Sequence, residues 1–173
     1  MKMKILFTVA VLFFGTLAYG ADFETESWPG EGIPVFAAKN DALILHREAS
    51  LKSPTLTIKY KKGWRVVFDK SKLITKKSVI LTANRKVKDF WCKGGTVEIN
   101  PGDTVEYLQY RAEGYGTVRV KGKICEVFLE DGFDGLDKSP ETEWWARVVD
   151  KHKKPVGWIL VDRTQLNFLR REF

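Results

Sequence analysis

The chain has few side chains of the kinds that act as nucleophiles or bind transition metals. It contains two cysteines, Cys92 and Cys125, and two histidines, His46 and His152. A cysteine nucleophile would need one of these histidines beside it as a base, and a disulfide between the cysteines would account for both thiols. A zinc site would need three or four Cys or His ligands in register, and that spacing is absent. We therefore predict no catalytic residue, no metal site and no cofactor, and we interpret the protein as a non-enzyme.

The acidic segment from Glu130 to Asp137 is the candidate for a cation site. It places carboxylates at Asp131, Asp134 and Asp137, among two glycines. Calcium loops of the helical type space their ligands at every second residue, whereas these carboxylates come at every third. Turns favour aspartate and glycine as well, so a solvated loop between strands explains the same pattern. We interpret the segment as a loop, and cation binding by the three aspartates stays the alternative.

Aromatic residues are the remaining candidates for a functional site. Six of them gather in the second half of the chain: Tyr107, Tyr110, Tyr115, Trp144, Trp145 and Trp158. Flat rings bury much area at low entropic cost, which suits a groove that receives an extended peptide. A small barrel also needs large residues to fill its interior, so core positions explain most of these residues better than ligand contact does. Neighbouring residues of a strand point to opposite faces, so we expect one of Trp144 and Trp145 in the core.

The elements that must position these residues are strands. Residues 55–60 alternate apolar and polar side chains, which predicts a strand with one buried face. The run 104–111 also alternates, with Tyr107 and Gln109 on one face and Tyr110 on the other. After residue 20 a helical period appears only in Arg163 to Phe173, for which we predict a short C-terminal helix docked on the rest of the protein.

A hairpin signature near the C-terminus links these strands to a known family. Two runs of aromatic and branched residues, 143–150 and 156–162, flank a polar turn that contains Pro155. The order of Trp, branched residues, charged turn and Gly-Trp-Ile-Leu-Val resembles the closing hairpin of bacterial SH3-like domains.

Two further stretches resemble the same family. One is an opening pattern that consists of Leu45, Arg47, Ser50, Ser53-Pro54, Ile58 and Lys62-Gly63. The other runs through residues 102–123 as Gly-Asp-x-Val-Glu-x-Leu, Glu-Gly-Tyr and Val-Arg-Val-x-Gly-Lys. The resemblance implies an all-β fold of two SH3-like barrels in tandem, or one elaborated barrel. Charged turns and a glycine pair favour a boundary near Gly95, which gives units at 33–95 and 96–173.

The resemblance also implies a function. SH3-like domains receive extended peptide in a shallow groove lined by aromatic residues. Cell-wall peptidases that carry such modules keep their catalytic Cys and His in a separate domain. We therefore expect a non-catalytic binding module of the cell envelope, with peptidoglycan peptide or an envelope protein as its partner. The alternative is a secreted inhibitor or effector-type protein that blocks an enzyme with an exposed loop such as 130–137.

Residues 1–20 have the pattern of a signal peptide. Lys2 and Lys4 precede an apolar run, and Ala18-Tyr19-Gly20 places small residues where a signal peptidase reads them. The apolar run is shorter than the roughly 20 residues that a spanning helix needs. We predict export to the periplasm or the extracellular space, cleavage after Gly20 and no stable membrane anchor afterwards. An acidic leader without regular structure is expected over 21–32.

Charge and cysteine content fit the predicted compartment. Removal of residues 1–20 takes away two lysines and no acidic residue, so the formal net charge falls from +7 to +5. We interpret this excess as diffuse and predict no nucleic-acid partner, because such a partner would need a clustered basic stripe. In an oxidising compartment an even pair of cysteines usually bonds, which favours a Cys92–Cys125 disulfide over two buried free thiols.

Overall fold

A computed structural model describes residues 23–28, 32–130 and 132–172. The predicted signal peptide and Asp131 lie outside the described residues. The fold is all-β, as predicted, and the described residues form no helix. Accordingly, no described segment is a helix long and apolar enough to cross a membrane. The strands are β1 (Phe23–Thr25), β2 (Ile33–Ala38), β3 (Ala42–His46), β4 (Thr55–Lys59), β5 (Arg65–Val66), β6 (Phe68–Lys77), β7 (Val79–Ala83), β8 (Val87–Cys92), β9 (Val97–Ile99), β10 (Thr104–Tyr110), β11 (Tyr115–Val120), β12 (Lys123–Phe128), β13 (Phe133–Asp134), β14 (Glu141–Val149), β15 (Pro155–Leu160) and β16 (Leu166–Glu172).

The strands pair in antiparallel fashion and form three sheets. A six-stranded sheet has the order β1-β6-β14-β15-β3-β4, and a seven-stranded sheet has the order β13-β7-β10-β11-β12-β8-β9. A three-stranded sheet has the order β16-β2-β5. The predicted C-terminal hairpin is present as β14 and β15, which pair from Trp145 opposite Leu160 to Val149 opposite Pro155.

Two hydrophobic clusters divide the protein into two lobes. One cluster draws on both the six-stranded and the three-stranded sheet, with Leu43, Ala146, Phe36 and Leu166 among its buried members. We call the part of the chain around it, residues 23–77 and 141–172, the split lobe. The other cluster collects buried residues from all seven strands of the remaining sheet, so that sheet encloses a core of its own. We call residues 79–134 the inserted lobe.

The division between the lobes differs from the predicted boundary near Gly95. That residue lies between β8 and β9, which pair with each other inside the inserted lobe. The predicted first and second units also share a sheet, because β6 pairs along its length with β14. Such pairing joins residues about seventy positions apart in the sequence, and local turn signals carry no information about it.

The C-terminal segment is a strand, and the predicted helix is wrong. β16 pairs with β2, with Leu166 opposite Ala38 and Glu172 opposite Ile33. Leu166 is buried in the core of the split lobe. Segments this short take their conformation from the partner on which they pack, so the available edge of β2 overrides the helical spacing of the apolar residues.

The acidic leader also differs in part from its prediction. Phe23–Thr25 forms β1 and pairs with β6, so this part of the leader is regular. Trp28 then packs against Phe68 and Trp144, with ring centroids 6.3 Å and 6.4 Å apart. Residues 23–28 of the leader are therefore held on the split lobe.

The predicted disulfide between Cys92 and Cys125 is present. The two residues lie directly opposite each other on β8 and β12, with their Cα atoms 4.0 Å apart. Cys125 is buried in the core of the inserted lobe, and Cys92 packs against that core from its edge. The bond therefore links β8 covalently to β12, its neighbour in the seven-stranded sheet.

Removal of the disulfide is expected to destabilise the protein without changing its fold. The bond spans 33 residues, and a loop of that size contributes about 3 to 4 kcal/mol when it is closed. The measurement is urea unfolding of the Cys92→Ala/Cys125→Ala variant beside the wild type, each with and without dithiothreitol. Reductant should lower the unfolding midpoint of the wild type alone. An equal response of both proteins would contradict the prediction.

Candidate functional site

The lobes meet along β6 and β10, where buried polar side chains form hydrogen bonds. The amide of Gln109 is fully buried and donates to the carbonyl oxygen of Leu73 at 3.0 Å. Its oxygen accepts a hydrogen bond from the hydroxyl of Thr25 on β1 at 2.8 Å. Beside it, Thr75 donates to the carbonyl oxygen of Leu108 at 2.8 Å. Because buried polar groups are costly without partners, these bonds fix how the two lobes sit on each other.

A β-bulge in β10 places two of the predicted tyrosines on one face. Tyr107 lies opposite Val118 on β11, and Gln109 lies opposite Thr117. Leu108 has no residue opposite it and is therefore the extra residue of the bulge. Tyr110 is then opposite Gly116. Val118 and Gly116 are two residues apart and share a face, so Tyr107 and Tyr110 share one too. The predicted alternation, with Tyr107 and Tyr110 on opposite faces, is wrong at this point.

Gly116 provides the space for the Tyr107 ring. A Cβ atom at this position would lie 2.9 Å from an edge carbon of Tyr107 and 2.5 Å from a methyl carbon of Leu129. Real Cβ contacts are longer than this, so any larger residue would displace the ring or the leucine. The glycine therefore sets the position of Tyr107, whose side chain is only 4% exposed.

Trp144 approaches the same region from the split lobe. It lies opposite Leu73 in the β14–β6 pair, and its indole nitrogen donates to the hydroxyl of Ser71 at 2.8 Å. The ring of Phe36 packs edge-on against it at 5.6 Å. The hydrogen bond and the ring contact fix the orientation of the indole, which stays partly exposed.

These residues line a groove between the two lobes. Leu73, Thr142 and Trp144 come from the split lobe, and Tyr107, Tyr110 and Arg111 come from the inserted lobe. Ser139 and Pro140, in the connection before β14, complete a cavity of about 320 Å³. We call it the interlobe groove. Sequence reasoning missed Leu73, Arg111, Ser139, Pro140 and Thr142, because their proximity depends on contacts between distant strands.

Arg111 supplies the positive charge of the groove. Its guanidinium donates to the hydroxyls of Thr117 at 2.9 Å and Ser27 at 3.2 Å. Its third nitrogen forms a salt bridge with Glu126 at 3.4 Å, and the Glu126 side chain is half exposed to solvent. No acidic side chain is among the described residues that line the groove. Tyrosine and indole rings next to a fixed guanidinium suit a ligand with flat or apolar groups and a carboxylate.

The other three predicted aromatic residues lie elsewhere. Tyr115 packs against Phe128 at 5.3 Å and lines a separate cavity of about 290 Å³ with Trp91. Trp145 is fully buried on the sheet face opposite Trp144, with the ring of His46 edge-on at 5.1 Å.

Trp158 lies on the same sheet face as Trp145. Lys72 and Arg147 each lie 5.9 Å from its ring centroid. The structure therefore brings together Tyr107, Tyr110 and Trp144, and separates them from Tyr115, Trp145 and Trp158.

The acidic loop is held against the inserted lobe. Phe133 is buried and packs edge-on against Phe90 at 6.3 Å, and β13 pairs with β7. The side-chain amide of Asn84 donates to Asp134 at 2.9 Å. Among the described residues, no three His, Cys, Asp or Glu side chains form a group that could hold a metal ion. Asp131, the first of the three candidate ligands, is outside that set.

Comparison of the chain with known protein families, with curated proteins and with solved structures finds no match.

Replacement of Gln109 by leucine is expected to lower the free energy of unfolding by about 2 to 3 kcal/mol, because it leaves the buried carbonyl oxygen of Leu73 without its donor. Gln165→Leu is the matched control. The Gln165 amide bonds the backbone of Ile44 at an exposed site, where water can take its place. Urea unfolding of both variants checks the prediction, and equal losses of stability would contradict it.

The Tyr107 hydroxyl is expected to make stability sensitive to alkaline pH. Burial, with a smaller contribution from Tyr110, raises the pKa of Tyr107 to about 12. Tyrosine in the unfolded chain titrates near pH ~10. The folded state keeps its proton to higher pH, so the stabilisation is complete below about pH 10 and is lost as the pH rises to about 12.

Urea unfolding at about pH 9 and about pH 11.5, on either side of the unfolded pKa, measures this loss. The loss of stability between these two pH values should be smaller in Tyr107→Phe than in the wild type. Tyr115→Phe, which removes an exposed hydroxyl outside the groove, should lose as much stability as the wild type. If Tyr107→Phe also lost as much, Tyr107 would not be the responsible group.

Proposed function

We propose that this protein is a non-catalytic binding module of the cell envelope, and that its interlobe groove holds an extended peptide of the cell wall or of a partner protein. The observation that carries the proposal is the convergence of Tyr107, Tyr110 and Trp144 in one groove beside Arg111. Tyr110 and Trp144 expose ring surface that a peptide can cover at low entropic cost, whereas Tyr107 lines the groove from the core of the inserted lobe. The Arg111 guanidinium already pairs with the half-exposed Glu126, and a peptide carboxylate would compete with that side chain for it.

The structure of the groove supports a preformed binding surface. Tyr107 is confined by Gly116 and Leu129, and Trp144 is held by Ser71 and Phe36. Side chains that are fixed before binding lose little conformational freedom when the ligand arrives. The resemblance of the hairpin and turn patterns to SH3-like domains, which bind extended peptides in aromatic grooves, supports the same proposal.

The disulfide supports the location in the envelope. Disulfides persist in oxidising compartments and are rare in the cytosol. Together with the signal-peptide pattern of residues 1–20, the Cys92–Cys125 bond favours an exported protein.

The surroundings of the cysteines and histidines support binding without catalysis. Both sulfurs are held in the disulfide, so neither is present as a thiolate. His46 Nδ1 lies 3.3 Å from the carbonyl oxygen of Ser53, and its ring packs on Trp145. His152 lies in the exposed β14–β15 turn, where its backbone N–H bonds Asp150.

The groove favours this proposal over a secreted inhibitor that acts through loop 130–137. An inhibitory loop has to project into an enzyme, whereas Phe133 anchors this segment in the core of the inserted lobe. Formation of a stoichiometric complex with a soluble enzyme, abolished by changes in this loop and unaffected by changes in the groove, would reverse the preference.

Tyr110→Ala is expected to weaken retention on isolated peptidoglycan by about tenfold in Kd, because it removes an exposed ring from the groove. The measurement is co-sedimentation at low and moderate salt, with and without prior removal of the stem peptides by an amidase. Retention should persist at moderate salt and disappear with the stem peptides.

Tyr115→Ala is the matched control, since it removes a similarly exposed tyrosine from a different cavity. Equal weakening by the two variants would contradict the assignment of the groove. Retention that vanishes with salt would indicate only attraction of a basic protein to an acidic polymer. Absence of retention at either salt would exclude a cell-wall peptide and leave a partner protein as the occupant.

A further inference from the structure

Two lysine-rich turns from distant parts of the chain meet on the split lobe. One begins at the last residue of β4 and covers residues 59–62, and the other covers residues 150–154 between β14 and β15. Together they flank a cleft of about 530 Å³, which we call the lysine cleft. It shares no lining residue with the interlobe groove.

The inner surface of the lysine cleft is apolar and open to solvent. Trp64 is 59% exposed and Val67 is 46% exposed, beside the buried Val149. The Lys61 ammonium lies 5.2 Å from the centroid of the Trp64 ring, and the hydroxyl of Tyr60 donates to the carbonyl oxygen of Arg65 at 2.7 Å. An exposed tryptophan in a concave site is the kind of surface that a partner's apolar side chain covers.

Six lysines lie on the two turns: Lys59, Lys61, Lys62, Lys151, Lys153 and Lys154. None of them forms an ion pair with another described residue. The two turns therefore place positive charge without acidic side-chain partners around the cleft.

The acidic residues of the cleft are already engaged by its own backbone. Asp41 accepts the N–H of Lys62 at 3.0 Å. Asp150 accepts the N–H groups of His152 and Lys154 at 2.8 Å and 2.9 Å, which shapes the β14–β15 turn. These carboxylates hold the turns in place, and the six lysines on the turns are exposed.

We propose that the lysine cleft binds an acidic polypeptide segment that inserts one aromatic or large aliphatic side chain against Trp64. Lys59 and Lys61 line the cavity from one part of the chain, and Lys151 lines it from the turn between β14 and β15. This arrangement complements an apolar residue with Asp or Glu on both sides of it in sequence. The proposal is independent of the function assigned to the interlobe groove.

The shape of the cleft favours a peptide over a membrane surface. A bilayer meets apolar side chains that project from a protein, whereas Trp64 and Val67 line a recess between two charged turns. A single side chain can enter this recess while its neighbours remain at the charged edge.

The test uses the purified protein and the fluorescein-labelled peptide Gly-Glu-Asp-Phe-Glu-Asp-Gly, with binding followed by fluorescence anisotropy at about 0.15 M salt. Trp64→Ala and the double variant Lys61→Glu/Lys151→Glu should each raise Kd about tenfold or more. Replacement of the peptide's phenylalanine by alanine should have a similar effect. Thermal unfolding of each variant confirms that it is folded.

Matched controls lie on the inserted lobe. Trp91→Ala removes a tryptophan that is 73% exposed, and Lys93→Glu/Lys123→Glu makes the same change in net charge. Both should leave Kd unchanged. The proposal is overturned if the wild type does not bind the peptide, if the alanine peptide binds equally well, or if the controls weaken binding as much. Binding to phosphatidylglycerol vesicles that depends on Trp64, without binding to the peptide, would also overturn it and assign the cleft to a membrane.

Discussion

The buried amide of Gln109 joins three strands that belong to different parts of the chain. It contacts Leu73 on β6 and Thr25 on β1 from its own position on β10. The interlobe groove depends on this link, because three of its lining residues come from each lobe. A buried amide has few alternative partners in an apolar setting, so it specifies one arrangement of the lobes more strictly than apolar packing would.

Features that depend on neighbouring residues were predictable from the sequence. Period-two alternation and branched residues gave the all-β class, and the hairpin of β14 and β15 lies where its turn signals place it. The disulfide followed from an even cysteine count in a predicted oxidising compartment. In each case the deciding information lies within a short segment or in the composition of the chain.

Features that depend on distant partners were not predictable. The bulge at Leu108 was not predictable, because an extra apolar residue within a strand does not visibly interrupt the alternation of side chains in the sequence. The strand at Leu166–Glu172 exists because β2 offers an edge for it. Of the six aromatic candidates, composition could not separate the three in the groove from Trp145 in the interior, since both environments select large rings. The lysine cleft was not predicted either, because its two turns lie about ninety residues apart in the sequence.

The insertion of one lobe into the other has a consequence for the order in which the chain can fold. The core of the split lobe lacks Ala146, Ile159 and Leu166 until the last strands join β2 to β6. The inserted lobe contains every strand of its own sheet and both cysteines, so it can close before the split lobe does. Until the C-terminal strands arrive, the strands that come first in the chain keep their apolar faces uncovered.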